Sequence, residues 1–561
     1  MSLPAGLRDR EVVVARLGGA DDDPLPEGLR VRGRLDLERW WGGGCRGAPV
    51  VIVTPPAGGI RLRHWLRLAL RGRLTAWHCT AGKVRRASAW DNLSPRADIA
   101  FRLVRRLVKR MISDLSPDRQ VRAVVLLQRI EGWLIRRLAR RQPPPGNSLL
   151  PGAAFAAGGV IEAIGSLSAG GAERQAVYTA AGIAARWPSG VTILCLYFNE
   201  NEESRFYQPL VGPQVALAQA RDEAAFPPPD ERLAAIRVFL AQYPPDIRTA
   251  TYRFVLEFLD RRPAVVHAWL DYTAVTAGLA ALLVGVPRIV IGGRNMAPDN
   301  FLLYRACMDD IFGLLLGCDR VRFVNNSQAG ARDYGRWLGQ KPERFTVLYN
   351  GIDDRLIQRA DPATAARFRQ AVGIPAGARV VGGVFRLAQE KRPLLWIETM
   401  DAVARHCPDL HFLLLGSGPL AEACRRRAER RGWAERLHMP GALREVATAL
   451  SVMDVVVATS VHEGNPNVLI EAGLLGLPII STDAGGVRET LLPDQTGRIV
   501  APTPAALAAA IRQVLDDDVF RAQAARLAPA FVRQRFGMER MIDETLAVYG
   551  APAGDVRTGA F

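Results

Sequence analysis

From residue 159 onward the chain alternates short, unbroken apolar runs with longer helix-forming stretches. The run 159–165 (GVIEAIG) predicts a first strand, leading through Ser166–Ser168 to the glycine pair Gly170–Gly171 and a helix from Ala172. Val191–Tyr197 predicts a second strand, and Ala264–Ala268 a later one followed by a helix over Thr273–Val284. Val286–Ile291, Val321–Val324 and Phe345–Leu348 read as further strands. A second series starts near Arg379, with strands at Val380–Val384, His411–Leu415, Arg436–Met439, Asp454–Thr459 and Pro478–Ser481. Helical stretches such as Pro393–His406 and Leu420–Arg431 lie between them, and 501–549 is helical throughout. Strands that do not alternate in polarity are covered on both faces, so the sheets should be parallel. The fold class is therefore α/β, two tandem Rossmann-like domains with a ligand cleft between them.

Ahead of this lies a region of different character, ended by the Pro143–Pro144–Pro145–Gly146 linker. Residues 102–111 and 121–141 set apolar residues on one helical face and arginines on the other, with Trp65, Trp77 and Trp90 upstream. Val50–Thr54 reads as a strand, but the region as a whole reads as basic and mostly helical. The expected divisions are 1–145, an accessory region; 146–375, an acceptor-side domain; 376–515, a donor-binding domain; and 516–561, helices returning towards the N-terminal half.

Charge sharpens this division. The formal net charge of the 561-residue chain is +17, yet residues 51–150 alone hold 21 Lys and Arg against 5 Asp and Glu. Such a segment suits peripheral contact of residues 51–141 with an anionic membrane; the plainer reading is a small helical domain with solvated arginines. Nucleic acid is a poor fit, since no binding motif accompanies the charge. Seven widely spaced cysteines without a CxxC argue against a disulfide framework or zinc site and for a reducing compartment. No signal peptide is evident at the first residue, and no apolar run reaches the ~20 residues of a membrane span. The expected location is cytoplasmic, with the inner face of the plasma membrane as its sharper form.

The chemistry gathers where strands end. Asp454–Thr459 leads to His462-Glu463-Gly464-Asn465-Pro466-Asn467, with Glu471 on the helix beyond. Gly464 permits close backbone approach, Asn465 is placed to cap the helix with Pro466 in its first position, and the free amides there attract an anion. After Val380–Val384 come Arg386 and Lys391, two cations suited to a diphosphate leaving group. Glycine turns follow two further strands, Leu415-Gly416-Ser417-Gly418 and Asp483-Ala484-Gly485-Gly486-Val487-Arg488-Glu489. Each piece alone is commonly a tight turn, a dipole partner or a solvated face. In sequence, each at a strand's C-terminal end, they read as one ligand site.

These motifs resemble the donor half of family 4 glycosyltransferases, of the GT-B kind, and the resemblance extends over about residues 159–548. Glu463 and Glu471 match the family's E-x7-E, Arg386 and Lys391 its phosphate-binding cations, and Pro440-Gly441-Ala442-Leu443 its base-contacting segment. Ser168 to Gln175, with Gly170 and Gly171, matches its GGAER loop; Asn326-Ser327 and Tyr349 to Asp353 match its interdomain stretch. The resemblance implies a retaining transferase needing no cofactor or divalent metal. Its partners would be a nucleotide-sugar donor and a saccharide or lipid-linked acceptor, in cell-surface polysaccharide or glycolipid assembly. It implies that Glu463 contacts the donor sugar, that Gly464, Asn465, Pro466 and Asn467 approach sugar and phosphate, and that Glu471 holds the ribose. One departure stands out: the segment Val266-His267-Ala268-Trp269-Leu270-Asp271 has Trp269 where many members carry a second His. His267, Asp271, Arg294 and Asn295 are the acceptor-side candidates, each weighed against a packing role. Two rival functions remain, a nucleotide-sugar epimerase of the same shape and a non-catalytic membrane-associated scaffold.

Overall fold

The computed structural model describes residues 155–550 except 156–157, 188, 199–201, 224–230, 302–303 and 445, with the strands 11–16, 30–35, 50–53, 76–80 and 83–86. The chain divides into two compact units, Met1–Gln142 and Pro143–Phe561.

The first unit contains a five-stranded sheet: β1 (Glu11–Arg16), β2 (Arg30–Leu35), β3 (Val50–Val53), β4 (Ala76–Thr80) and β5 (Lys83–Arg86), in the order β2-β1-β3-β4-β5. All pairs are parallel except β4–β5. Of these strands the sequence reading anticipated only the one at Val50. Arginines interrupt the apolar runs of β2 and β5 and hide their strand character. The helices expected at 102–111 and 121–141, with Trp65 and Trp90, lie outside the described residues.

The second unit carries two parallel sheets. The first comprises β6 (Val160–Ile164), β7 (Val191–Cys195), β8 (Val215–Gln219), β9 (Val265–Trp269), β10 (Arg288–Gly293), β11 (Val321–Asn325) and β12 (Phe345–Val347), in the order β12-β11-β10-β9-β6-β7-β8. The other comprises β13 (Arg379–Val384), β14 (Leu410–Leu415), β15 (Leu437–Gly441), β16 (Val455–Ala458), β17 (Ile479–Thr482) and β18 (Gly497–Val500), in the order β15-β14-β13-β16-β17-β18. Central strands such as β6, β9 and β16 are buried at every residue, as their unbroken apolar runs require. Strand order reverses between β6 and β9 and between β13 and β16, and open α/β sheets bind ligands beyond the strand ends at such points.

Helices start on local signals. Ser327, Asp361 and Thr503 accept hydrogen bonds from first-turn amides, and prolines occupy the first helical position at Pro362, Pro393 and Pro504. The chain passes to the second domain near Ile352 and returns after the helix Asp518–Phe536. There the two crossings touch: Ile352 N donates to Phe536 O at 2.7 Å, and Ile352 and Gly537 form a parallel bridge. The last helix, Met538–Tyr549, completes the core of the first domain through Met541, Ile542, Leu546 and Tyr549. Gly182 makes room for it, since a Cβ there would lie 2.4 Å from Ile542 Cδ1.

Candidate functional site

On the second domain the loop after β13 runs beside the loop after β16. Thr459 Oγ1 donates to Lys391 O at 2.9 Å, and Val461 N donates to Glu390 O at 2.9 Å. This lattice sets Lys391 Nζ 2.6 Å from Glu463 Oε1, which also accepts from Ser460 Oγ at 2.6 Å. Glu463 is fixed through its backbone as well: its N–H donates to Ala484 O at 2.8 Å and its carbonyl accepts from Gly486 N at 3.0 Å. Arg386 pairs with Glu390 and leaves 65% of its side chain exposed, on the cleft side where its field reaches Glu173 of the first domain. Of the four charged residues expected to converge, Lys391 and Glu463 meet directly and Arg386 is joined to the same loop through Glu390, with Ser460 a further member that carried no sequence signal.

Gly416 and Gly418 serve this loop. With φ of 133° and 152° they lie against residues 385–387, and a Cβ on Gly416 would sit 2.0 Å from Phe385 O. Gly416 N donates to Gly441 O at 2.9 Å, tying the end of β15 to the same edge, with Ala442 exposed and Leu443 half-buried beyond it. Gly464 also faces close backbone: a Cβ there would lie 2.4 Å from Asn326 Oδ1 and 2.8 Å from Arg294 O, both of the first domain.

The helix after this loop starts at Asn467, with Pro466 in the cap position and no side-chain cap. This corrects the expected Asn465 cap. The Asn465 side chain instead accepts from Asn350 N at 3.4 Å, while Asn350 Nδ2 donates to Asn465 O at 2.8 Å and Asn467 Oδ1 at 2.6 Å. Asn350 also accepts from Arg294 at 2.9 Å, so one linker asparagine gathers three strand-end loops.

The first domain presents the start of the helix Gly171–Ala184. Asn467 Nδ2 donates to Gly171 O at 3.1 Å, and Gln175 exchanges two 2.8 Å hydrogen bonds with the backbone of Gly351. The Glu173 carboxyl folds over Gly170; burial pushes it up to about 7, against its own backbone amide and the field of Arg386. Arg174 ion-pairs with Glu471 across the two domains, both side chains buried. Burial raises Glu471, and Arg174 opposes that rise.

The acceptor-side candidates are drawn into the fold. His267 Nδ1 lies 2.8 Å from the Tyr549 hydroxyl, which donates to Glu162 Oε1 at 2.6 Å, and Trp269 Nε1 donates to Glu162 Oε2 at 2.6 Å. Because the Tyr549 proton goes to Glu162, this network assigns His267 Nδ1–H as the donor to the tyrosine oxygen. Trp269 thus replaces an imidazole with an indole that satisfies a buried carboxyl. Arg294 stacks on Trp269, 4.3 Å from its ring centre, and burial lowers it to about 9, with Glu162 opposing. Asp271 accepts from the Tyr334 hydroxyl and is raised by burial to about 6, the tyrosine opposing. It follows Leu270, whose φ of 67° strains the end of β9. Asn295 is half-buried and accepts from Met296 N at 2.9 Å.

Sequence reasoning took Glu489 only as the end of a glycine turn, with no role of its own. Its carboxylate accepts from Gln328 N and Ala329 N, each at 2.8 Å, and from the Tyr349 hydroxyl at 2.9 Å, capping a first-domain helix from the second domain. Among the described residues no group of three or more His, Cys, Asp or Glu is placed to hold a metal ion, and no helix is long and apolar enough to cross a membrane.

Two parallel-sheet α/β domains joined by a double crossing, with charged loops at both switch points, define the GT-B glycosyltransferase fold. Residues 378–517 match the family model described as Glycosyl transferases group 1. Over 357 residues the chain is 30% identical to the Vi polysaccharide biosynthesis protein VipC/TviE of Salmonella typhi, covering 60% of this chain and 61% of that protein. It is 27% identical over 239 residues to a D-inositol 3-phosphate glycosyltransferase of Corynebacterium urealyticum, covering 40% and 55%. The chain thus spans 55% to 61% of the length of these two curated relatives. Among solved structures, HepE of Anabaena in complex with UDP and glucose gives a TM-score of 0.56 at 20% identity, covering 70% of this chain and 100% of that one. WaaG, a glycosyltransferase involved in lipopolysaccharide biosynthesis, gives 0.53 at 16%, with coverage of 70% and 100%.

Proposed function

We propose that this protein is a retaining glycosyltransferase that moves a sugar from a nucleotide diphosphate to a hydroxyl acceptor, in the assembly of a cell-surface polysaccharide or glycolipid. The observation that carries the reading is the meeting of Lys391, Ser460 and Glu463 at the β13/β16 switch point, with Arg386 joined to the same loop through Glu390. That set supplies what a sugar diphosphate needs. Two cations neutralise the charge that grows on the departing phosphate, and a buried carboxylate held by Lys391 and Ser460 takes hydrogen bonds from the sugar. Glu471 receives the nucleotide's ribose. The bond from the sugar's anomeric carbon to the phosphate oxygen breaks, and the acceptor oxygen bonds to that carbon on the same face. The acceptor's proton passes to the departing phosphate. The UDP and glucose bound in HepE make a uridine nucleotide the first donor to try, and the polysaccharide and lipopolysaccharide relatives suggest the acceptor class. The reading places the protein in the cytoplasm; contact of residues 51–141 with anionic lipid belongs to it as well.

The test is product analysis with UDP-, GDP- and ADP-sugars and saccharide or lipid acceptors, with the product's anomeric configuration read by NMR. Lys391→Ala and Glu463→Gln should each lower transfer by about 100-fold or more, with circular dichroism unchanged. Wild-type turnover in both variants refutes the site. Inverted product refutes retention, and free nucleotide released without any acceptor product supports the epimerase instead.

A further inference from the structure

The ion pair between Arg174 and Glu471 is buried and incompletely satisfied. Arg174 is 8% exposed and Glu471 3%, and they join the first turn of one domain's helix to the mid-helix of the other's. Taking both charges out of water is costly unless their remaining hydrogen-bonding capacity is filled. It is not filled. Arg174 Nε is buried without a partner, and among the described residues Glu471 Oε2 accepts no hydrogen bond, its Oε1 being held by Arg174. A small cavity adjoins the pair, lined also by Tyr178, Asp353 and Asn467. One side of the pair therefore offers an acceptor and the other a donor. A hydroxyl complements both, and a vicinal diol spans a carboxylate well.

Glu471 stands four residues past Asn467, on the helix that opens directly after the Glu463–Pro466 loop. A diol bound there belongs to a ligand whose charged centre lies at Lys391 and Glu463, as a ribose does in a nucleotide diphosphate. We infer that Arg174 is a positioning residue for the donor: it turns and holds the Glu471 carboxylate so that its second oxygen receives the ribose hydroxyls. The assignment rests on the donor-site reading above. Because the two residues come from different domains, ribose recognition is assembled only when the domains are together. Arg174 also favours the ionised form of Glu471, opposing the burial that raises that carboxyl.

The experiment is calorimetric titration of the full-length protein with UDP and 2′-deoxy-UDP, with GDP and ADP as controls, between pH 6 and 9. The wild type should prefer UDP to its deoxy form by about tenfold, the worth of one hydrogen bond to a charged group, with little change over that range. Arg174→Met should lose most of the preference and recover part of it as pH rises, because burial unopposed by the arginine favours the protonated carboxyl. Arg174→Lys should keep most of it. Should Arg174→Met fail to fold, Glu471→Gln carries the test and must lose the preference at every pH. Equal weakening of both nucleotides with the preference intact shows a merely structural arginine and overturns the assignment. A wild type that binds none of the nucleotides overturns the donor-site reading itself, which separates that failure from this one.

Discussion

Glu489→Ala tests how the two domains of the second unit are held together. The helix Gln328–Leu338 has no acidic residue in its first turn, so Glu489 supplies the anion that its N-terminal amides attract. Ser327 satisfies the Gly330 amide at 3.0 Å, and Glu489 satisfies the two before it. A hydrogen bond to a charged group contributes about 1.5–3 kcal/mol. The three bonds do not sum, because the Gln328 amide is exposed and Glu489 itself only half-buried, so water replaces part of what is removed. The expected loss is about 2–3 kcal/mol. Glu489→Gln, which keeps one acceptor oxygen and loses the charge, should lose about half of that. Urea unfolding followed by fluorescence reads both differences. The same loop pairs with Glu463, so donor KM should rise in the Ala variant without a matching fall in kcat. Stability within about 0.5 kcal/mol of wild type, the usual scatter of surface substitutions, would refute the latch.

Two further outcomes follow from buried groups. Tyr549→Phe removes the hydroxyl that Glu162 and His267 share and should destabilise the protein by about 2–3 kcal/mol in the same unfolding assay. Glu173 is raised from 4.5 to about 7, so the folded state favours its proton and wild-type stability falls as pH rises through that window. Glu173→Gln should therefore match wild type below pH 4.5 and exceed it by up to about 3 kcal/mol above pH 7. A difference in melting temperature that stays flat with pH overturns this.

Much of the architecture was legible because both sheets of the second unit have buried central strands, whose apolar runs cannot be read as amphipathic. β8 and β18 escaped notice for the opposite reason: they are edge strands, partly exposed, with Gln219 and Arg498 in their runs. The donor loops were readable through local spacing. Partnerships between distant parts of the chain, Arg174 with Glu471 across 297 residues and Asn350 with Asn465 across 115, were not, since nothing in a linear chain marks which arginine a glutamate will meet. Asn465 shows how a local rule loses to such a contact, its capping capacity being drawn off by the linker.

The double crossing at Ile352 and Gly537 makes the two lobes topologically unequal. The donor lobe is a single continuous stretch that one pair of cuts would free. Its companion is discontinuous, closed by the 12-residue helix Met538–Tyr549, which arrives only after the donor lobe has been synthesised. During translation, therefore, the earlier lobe waits for Ile542 and Tyr549 before its core is sealed, and a stop codon near residue 537 would damage the lobe farther from it in sequence.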